Sequence, residues 1–262
     1  NTHRVFSKNS ASSRAIPTKR MIQMIRDNPA VPASWRMNQA GMQGYEVADD
    51  ATIKQAQYIW LEAMTDAIRH AEDLDKLGLH KQIVNRLTEP FAHMKTVMTG
   101  VYFDNFLGLR DHHMADPTIE ALAKAVREAR DTSEPKLLKP GQRHLPYITP
   151  TERREFDDET CLKISAARCA RTSYNTMDGK RSHPDDDCAL HDRLLVEQPI
   201  HASPAEHMAT PDVKTTGNMP LSKERNVVVT QQWAQPELHG NLTGWVQYRK
   251  TLANENIDKV LV

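Results

Sequence analysis

Apolar residues recur at helical spacing along much of the chain. Within residues 50–77, Ala56, Ile59, Trp60, Ala63, Met64, Ala67, Ile68, Ala71 and Leu74 fall on one stripe. That period predicts the longest helix, closed by Gly78, with Trp60 and Met64 as core residues. Met21, Met24 and Ile25 predict a helix over 17–27 that Pro17 opens. Further helices are expected over 80–88, stopped before Pro90, and over 117–129, where Ile119, Leu122, Ala123 and Val126 share a side. Two more are expected around 159–171 and in a short stretch ending at Leu195. Runs rich in β-branched and aromatic residues predict strands at 95–103, near 226–231 and, after a turn, within 240–250.

Helices alternating with short strands make an α/β or α+β protein. Residues 133–150 hold four prolines and one glycine, which reads as an ordered connecting loop between a first half, 1–132, and a second, 151–262. No repeat or low-complexity tract interrupts either half.

Charge narrows the choice of partners. Lys plus Arg and Asp plus Glu both number 34, so no basic excess is present to grip a nucleic-acid backbone, although a local pocket for one nucleotide remains open. No apolar run reaches the ~20 residues that span a bilayer. Three cysteines, Cys161, Cys169 and Cys188, without a C-x-x-C, suit a reducing cytoplasm better than a disulfide framework or zinc knuckle. The first residue is Asn rather than Met, and polar signal residues begin at once. The sequence therefore reads as starting inside a strand, with Asn1 to Arg4 extended and close to the 245–250 segment.

The opening fifteen residues carry the chemistry. Arg4, Arg14, His3 and the serines Ser7, Ser10, Ser12 and Ser13 crowd there with little that is apolar. Guanidinium forks, hydroxyls and backbone N–H groups together suit phosphate oxygens. A solvated arm has the same composition.

The spacing His3-Arg4-Val5-Phe6-Ser7-Lys8-Asn9-Ser10-Ala11-Ser12-Ser13-Arg14 resembles the signature of the flavin-dependent thymidylate synthases (ThyX). Asn105-Phe-Leu-Gly-Leu-Arg110 is similar to that family's Asn-Phe-Leu-x-Leu-Arg. Arg86 with Pro90 is similar to its Arg-x-x-x-Pro, Ala166-Ala-Arg168 and Ala170-Arg-Thr-Ser-Tyr174 to its Ala-Ala-Arg-x-Ser-Tyr, and His201-Ala-Ser-Pro-Ala-Glu-His207 to its His-x-Ser/Thr-Pro-x-Glu-His. The tail Trp245-Val-Gln-Tyr-Arg-Lys250 looks like the end of a longer branch. The resemblance runs from Asn1 to about Lys250, but in shorter members the last two motifs precede the His-Arg motif. The order here implies a ThyX-like mixed sheet with long helices whose elements are circularly permuted.

The resemblance implies methyl transfer to dUMP, with FAD, NADPH and 5,10-methylenetetrahydrofolate, in a homotetramer with shared active sites. It casts Arg110 as the catalytic group that polarises the uracil ring. Ser10, Ala11, Ser12, Ser13 and Arg14 would bind dUMP, joined by Arg86 from a neighbouring subunit. Thr2, His3, Arg4, Ser10, Asn105, His201, Ser203 and Glu206 would lie at the flavin, and no enzyme nucleophile is needed. No nucleic acid, membrane or metal is implied.

Several positions depart from the family pattern. Thr2 replaces an Arg and Ser10 a Glu, Thr99-Gly-Val101 stands where an Asn-x-Arg flavin contact is usual, and Met114-Ala-Asp116-Pro-Thr118 stands where His-Ala-Gln-x-Glu is usual. Met for His and Asp for Gln remove hydrogen-bonding groups and add an anion, which predicts loose FAD retention.

Two other readings stay open. One is a non-catalytic nucleotide-binding relative. The other is a metal-dependent phosphohydrolase, for which His201, Glu206 and His207 are poor ligands. Ser203-Pro204 reads as a cap and first turn that sends Glu206 and His207 apart, and His112 and His113 likewise diverge.

Overall fold

A computed structural model describes residues 5–41, 44, 46–220 and 227–255. Its helices are α1 (Thr18–Asp27), α2 (Asp50–Lys76), α3 (Lys81–Val84), α4 (Asp104–Arg110), α5 (Pro117–Asp131), α6 (Glu152–Glu155), α7 (Asp158–Arg171) and α8 (Pro184–Leu195). Its strands are β1 (Phe6–Ser10), β2 (Thr96–Gly100), β3 (Ala209–Pro211), β4 (Lys214–Pro220), β5 (Val227–Trp233) and β6 (Trp245–Gln247). The class is α+β. The expected mixed sheet is not found among the described residues, where the strands form three separate antiparallel pairs, β1–β2, β3–β6 and β4–β5. A parallel neighbour needs a crossover that returns in the same direction. Here each short strand meets an antiparallel partner and helices cover the rest.

The chain divides into two compact units. One comprises the start of the chain through Ala11, the segment Lys95–Val101, and the chain from Lys136 on; the other is Ser12–Met94 with Tyr102–Pro135. This line differs from a split into first and second halves. The reason is the β1–β2 ladder, in which Phe6 faces Gly100 and Ser10 faces Thr96. β1 packs on α7, and both strands pack on a 3-10 turn, Ser203–His207, so the opening residues belong with the later chain. Gly100 lies directly beneath the Phe6 ring, where a Cβ would collide with it.

α7 is the centre of the first unit. Asp157 caps it by accepting from the Thr160 N–H at 2.7 Å, and Thr172, at φ 52°, ends it in the left-handed region. Cys161, Leu162, Ala166 and Cys169 on α7 form one core with Leu145, Leu195, Ala205 and Met208. Each of the leucines and Met208 stabilises the fold by roughly 1.5–3 kcal/mol when fully buried, the alanines and cysteines by less. α8 opens on Pro184, with Asp185, Asp186 and Asp187 in its first turn, where the helix dipole favours anions.

In the second unit Asp49 caps α2 through the Thr52 N–H, and Gly78, at φ 77°, turns the chain away after it. The α2 stripe is only partly covered: Ile68 and Ala71 are buried, Trp60 and Met64 half-buried, and Ile59 is 56% exposed. Trp60 is held by edge-on contacts with Trp35 and Phe91 and donates to the Ala30 carbonyl at 2.9 Å. The expected helix over 80–88 is α3 followed by 3-10 turns Asn85–Leu87 and Glu89–Phe91, since Pro90 has no N–H to continue it. Asn1 to Arg4 lie outside the described residues. The adjoining strand does reach the tail, because Ser7 is hydrogen-bonded to Asn241 and to Gln247 Nε2.

Candidate functional site

The phosphate-like residues fall on both sides of the unit boundary. Ser10 and Ala11 end the first unit's strand: the Ser10 hydroxyl meets Thr96 Oγ1 at 2.9 Å, and the Ala11 N–H donates to the Lys95 carbonyl. Ser12, Ser13 and Arg14 then form a tight turn in the second unit, with Ala15 N–H bonded to Ser12 O and Ile16 N–H to Ser13 O. That turn is tied down from α3 and the 3-10 turn behind it. The Asn85 side-chain amide donates to Ser13 O at 2.7 Å and to Ile16 O at 2.9 Å, and Lys81 Nζ donates to Ala15 O at 2.8 Å. Arg14 and Arg86 are both exposed, Arg14 reaching the Ser12 hydroxyl and Arg86 the Gln82 carbonyl. Arg86 follows Asn85 directly in the chain and is free to reach a neighbouring copy's nucleotide, as the resemblance implies. The Ser13 hydroxyl is taken by Glu89 Oε1 at 2.5 Å, so an anion here competes with a carboxylate.

In the first unit the remaining motifs converge. The Ser203–His207 turn lies on α7, β1 and β2, and His207 Nδ1 is 2.9 Å from Thr99 Oγ1. His207 is fully buried and its Nε2 has no partner among the described residues; burial, and next the neighbouring His144, push its pKa down to about 4. Glu206 points the other way and pairs with Arg249 of the tail. Gln247 Nε2 joins Ser7, Asn241 and the Glu206 carbonyl. His201 and Ser203 are exposed. Ser203 opens the turn without capping it; the residue before the turn is Ala202.

The Ala-Ala-Arg motif resolves into a buried ion network. Arg168 donates to both Glu152 oxygens, to Asp187 Oδ2 at 3.0 Å and to the Tyr147 carbonyl at 2.8 Å. Arg171 pairs with the other Asp187 oxygen, and the Ser182 hydroxyl also donates to Asp187. Burial would raise the Glu152 pKa, but Arg168 and the Thr149 donors outweigh it and hold the carboxyl at about 2. Arg181 lies over Tyr174 at 4.8 Å. This motif holds the fold together rather than presenting groups to a ligand.

Arg110 is the last residue of α4 and half-buried, with no hydrogen bond or ion pair among the described residues. Its neighbour Asp111 takes Arg127, and Asp104 at the start of the helix takes Arg130. Asn105 is exposed on the same helix. His112 and His113 do not diverge: they sit in a turn, not a helix, and their rings lie 4.3 Å apart and tilted by 33°. Asp116 accepts from the Thr118 and Ile119 N–H groups and is the N-cap of α5, with Pro117 at the first helical position.

The polar groups assigned to flavin suit a dinucleotide in kind. Thr2, His3 and Arg4 lie outside the described residues. Asn105, His201 and Ser203 keep side chains with no partner among the described residues, whereas Ser10 and Glu206 are engaged within the chain. Asn105 belongs to the second unit and the others to the first. Among the described residues no group of three His, Cys, Asp or Glu is placed to hold a metal ion, and no helix is long and apolar enough to cross a membrane. All three cysteines are free thiols, and burial pushes Cys169 up to about 12, far from a reactive thiolate. Compared with known proteins, the chain matches no family model, no curated protein and no solved structure.

Sequence reasoning missed Asn85, His207 and Gln247. Asn85 sits beside Arg86, and His207 and Gln247 lie inside quoted motifs, but only their contacts distinguish them from ordinary polar residues.

Proposed function

We propose that the chain is a flavin-dependent thymidylate synthase, making dTMP from dUMP with 5,10-methylenetetrahydrofolate and a reduced flavin. The observation that carries this reading is the joining of Asn85 to the Ser13 carbonyl, 72 residues away in sequence. It brings two distant motif segments into one place, with the exposed guanidinium of Arg14 on the serine turn itself and Arg86 offered to a neighbouring subunit. Such a turn suits a nucleotide phosphate: forked donors carry the charge, and hydroxyls complete the coordination.

On this reading a bound flavin, once reduced by NADPH, would supply the hydride, and the protein supplies position and electrostatics. Arg110, with no partner among the described residues, would stabilise negative charge on the uracil ring through its planar guanidinium. Asn105, His201 and Ser203 would contact the flavin, completed by further copies in a homotetramer, in the cytoplasm. A circularly permuted ThyX-like arrangement accounts for the motif order. The Met114, Asp116 and Thr118 departures favour one second reading, a nucleotide-binding relative without flavin chemistry.

Purified protein should carry a flavin absorption band and form dTMP from dUMP only with both methylenetetrahydrofolate and NADPH. A colourless protein that binds dUMP but makes no dTMP selects the second reading. A protein that binds no dUMP overturns both.

A further inference from the structure

Three side chains of the first unit, unused by the nucleotide reading, stand in line. Tyr248 opens a 3-10 turn in the tail and is half-buried, its ring against the α7 core and its N–H donating to the Met208 carbonyl at 2.9 Å. Its hydroxyl lies 3.0 Å from Nε2 of His191 on α8. Nδ1 of the same ring lies 2.8 Å from Asp192 Oδ1, which Lys163 Nζ of α7 meets at 3.1 Å. Burial would raise the Asp192 pKa, but hydrogen bonds from His191 and Lys163 outweigh it and keep the group a carboxylate. A carboxylate only accepts, so Nδ1 carries a proton. Burial, against the pull of Asp192, pushes the His191 pKa below its ordinary value and leaves the ring neutral at pH 7. Nε2 is then an acceptor, and the Tyr248 hydroxyl points its proton at it.

We propose that these residues form an acyl-transfer site, with the Tyr248 hydroxyl as nucleophile toward a small uncharged activated ester, His191 as its base and Asp192 positioning the base. A hydroxyl bonded to an imidazole whose far nitrogen is held by a carboxylate is the arrangement that activates a weak nucleophile. The phenol oxygen attacks the carbonyl carbon while its proton passes to His191 Nε2. The bond to the leaving alcohol then breaks, that alcohol takes the proton from Nε2, and the acyl group stays on Tyr248 as an aryl ester. The two other buried imidazoles of this unit each lack a part. His239 spends Nδ1 on the Gly244 N–H and Nε2 on Asp212, and His207 meets a hydroxyl but no carboxylate among the described residues. Charge favours an uncharged substrate. Lys163 and Arg143 are matched by Asp192 and Asp158 in ion pairs, and Glu159 adds a further anion near the phenol. The Lys163 and Asp192 side chains are 30% and 47% exposed, so the line opens to solvent.

p-Nitrophenyl acetate is the probe, used on the full chain. Stopped-flow release of p-nitrophenolate follows the step, and peptide mass spectrometry locates the acetyl group. Tyr248 should be acetylated about a hundredfold faster than Tyr102, which is 61% exposed and serves as the reference phenol. Tyr248→Phe keeps the ring and should remove the fast release. His191→Gln and Asp192→Asn should each lower the Tyr248 to Tyr102 ratio about tenfold or more, with the melting temperature little changed. A merely structural role would move the melting temperature and leave the ratio alone. Asp192→Asn carries the test if His191→Gln does not fold, because the Asp192 side chain is half exposed. Tyr248 acetylated no faster than Tyr102, or a ratio unchanged in a folded His191 or Asp192 variant, overturns the proposal.

Discussion

His207 Nδ1 lies 2.9 Å from Thr99 Oγ1, joining the turn that opens at Ser203 to the strand that faces the first residues of the chain. The other ring nitrogen is buried with no partner among the described residues. A charged imidazolium has no place there, which is why its pKa falls to about 4.

That gives acid sensitivity with a defined window. Between about pH 6.5 and 4 the unfolded chain binds a proton at His207 and the folded chain does not, so stability falls as pH drops through that range. The loss amounts to about 3 kcal/mol when complete. Above pH 6.5 the term is constant. Urea midpoints at pH 7 and 5 should separate more in wild type than in His207→Gln; equal separations would remove His207 as the cause.

The pair Arg168 and Glu152 should dominate a second transition at lower pH. Glu152 is depressed to about 2, so its contribution is present above about pH 4.5 and lost as pH falls toward 2. Arg168→Met leaves the Glu152 carboxylate without its main partner and Asp187 with only Arg171 and Ser182, and should cost roughly 3–5 kcal/mol. Circular dichroism melts measure it, and a loss under 1 kcal/mol would mean water reaches those carboxylates.

Arg110→Lys separates catalysis from structure. Arg110 has no partner among the described residues, so melting temperature and flavin content should hold, while dTMP turnover falls about a hundredfold with a smaller loss in dUMP affinity. Full turnover ends the catalytic assignment. A parallel loss of melting temperature and flavin makes the residue structural.

Asp116, which departs from the family pattern, has a structural reason for its place. Its carboxylate accepts from the Thr118 and Ile119 N–H groups at 3.0 and 3.2 Å, a cap that a longer glutamine fills poorly. Asp116→Gln should cost ~1 kcal/mol and lower the melting temperature by about 3 °C. If Met114→His with Asp116→Gln raises FAD retention without that loss, the charge matters to flavin and the cap does not.

Helices α2 and α5 were legible in the chain because their evidence is local: a 3.6-residue apolar period, Gly78 closing the one and Pro117 opening the other, whereas the Asp49, Asp116 and Asp157 caps and the left-handed Thr172 came from the structure. The polar turn of Ser12, Ser13 and Arg14, and the α4 arginine, were likewise visible as residue types at fixed spacing. What belonged to the tertiary structure alone was pairing across long separations. Residues through Ala11 leave the first half, together with their ladder partners Thr96 to Gly100, because both strands pack on the Ser203–His207 turn and β1 on α7, and contacts 86 or more residues away leave no mark in either strand's own pattern. Arg168 read as one motif arginine among several until folding enclosed it with Glu152 and Asp187. Asn85 read as an ordinary helix residue until its amide met two carbonyls of a turn 69 and 72 residues away. Period and capping are properties of neighbours along the chain, whereas the partner of a buried amide, guanidinium or imidazole is chosen only when distant segments close around it and water leaves.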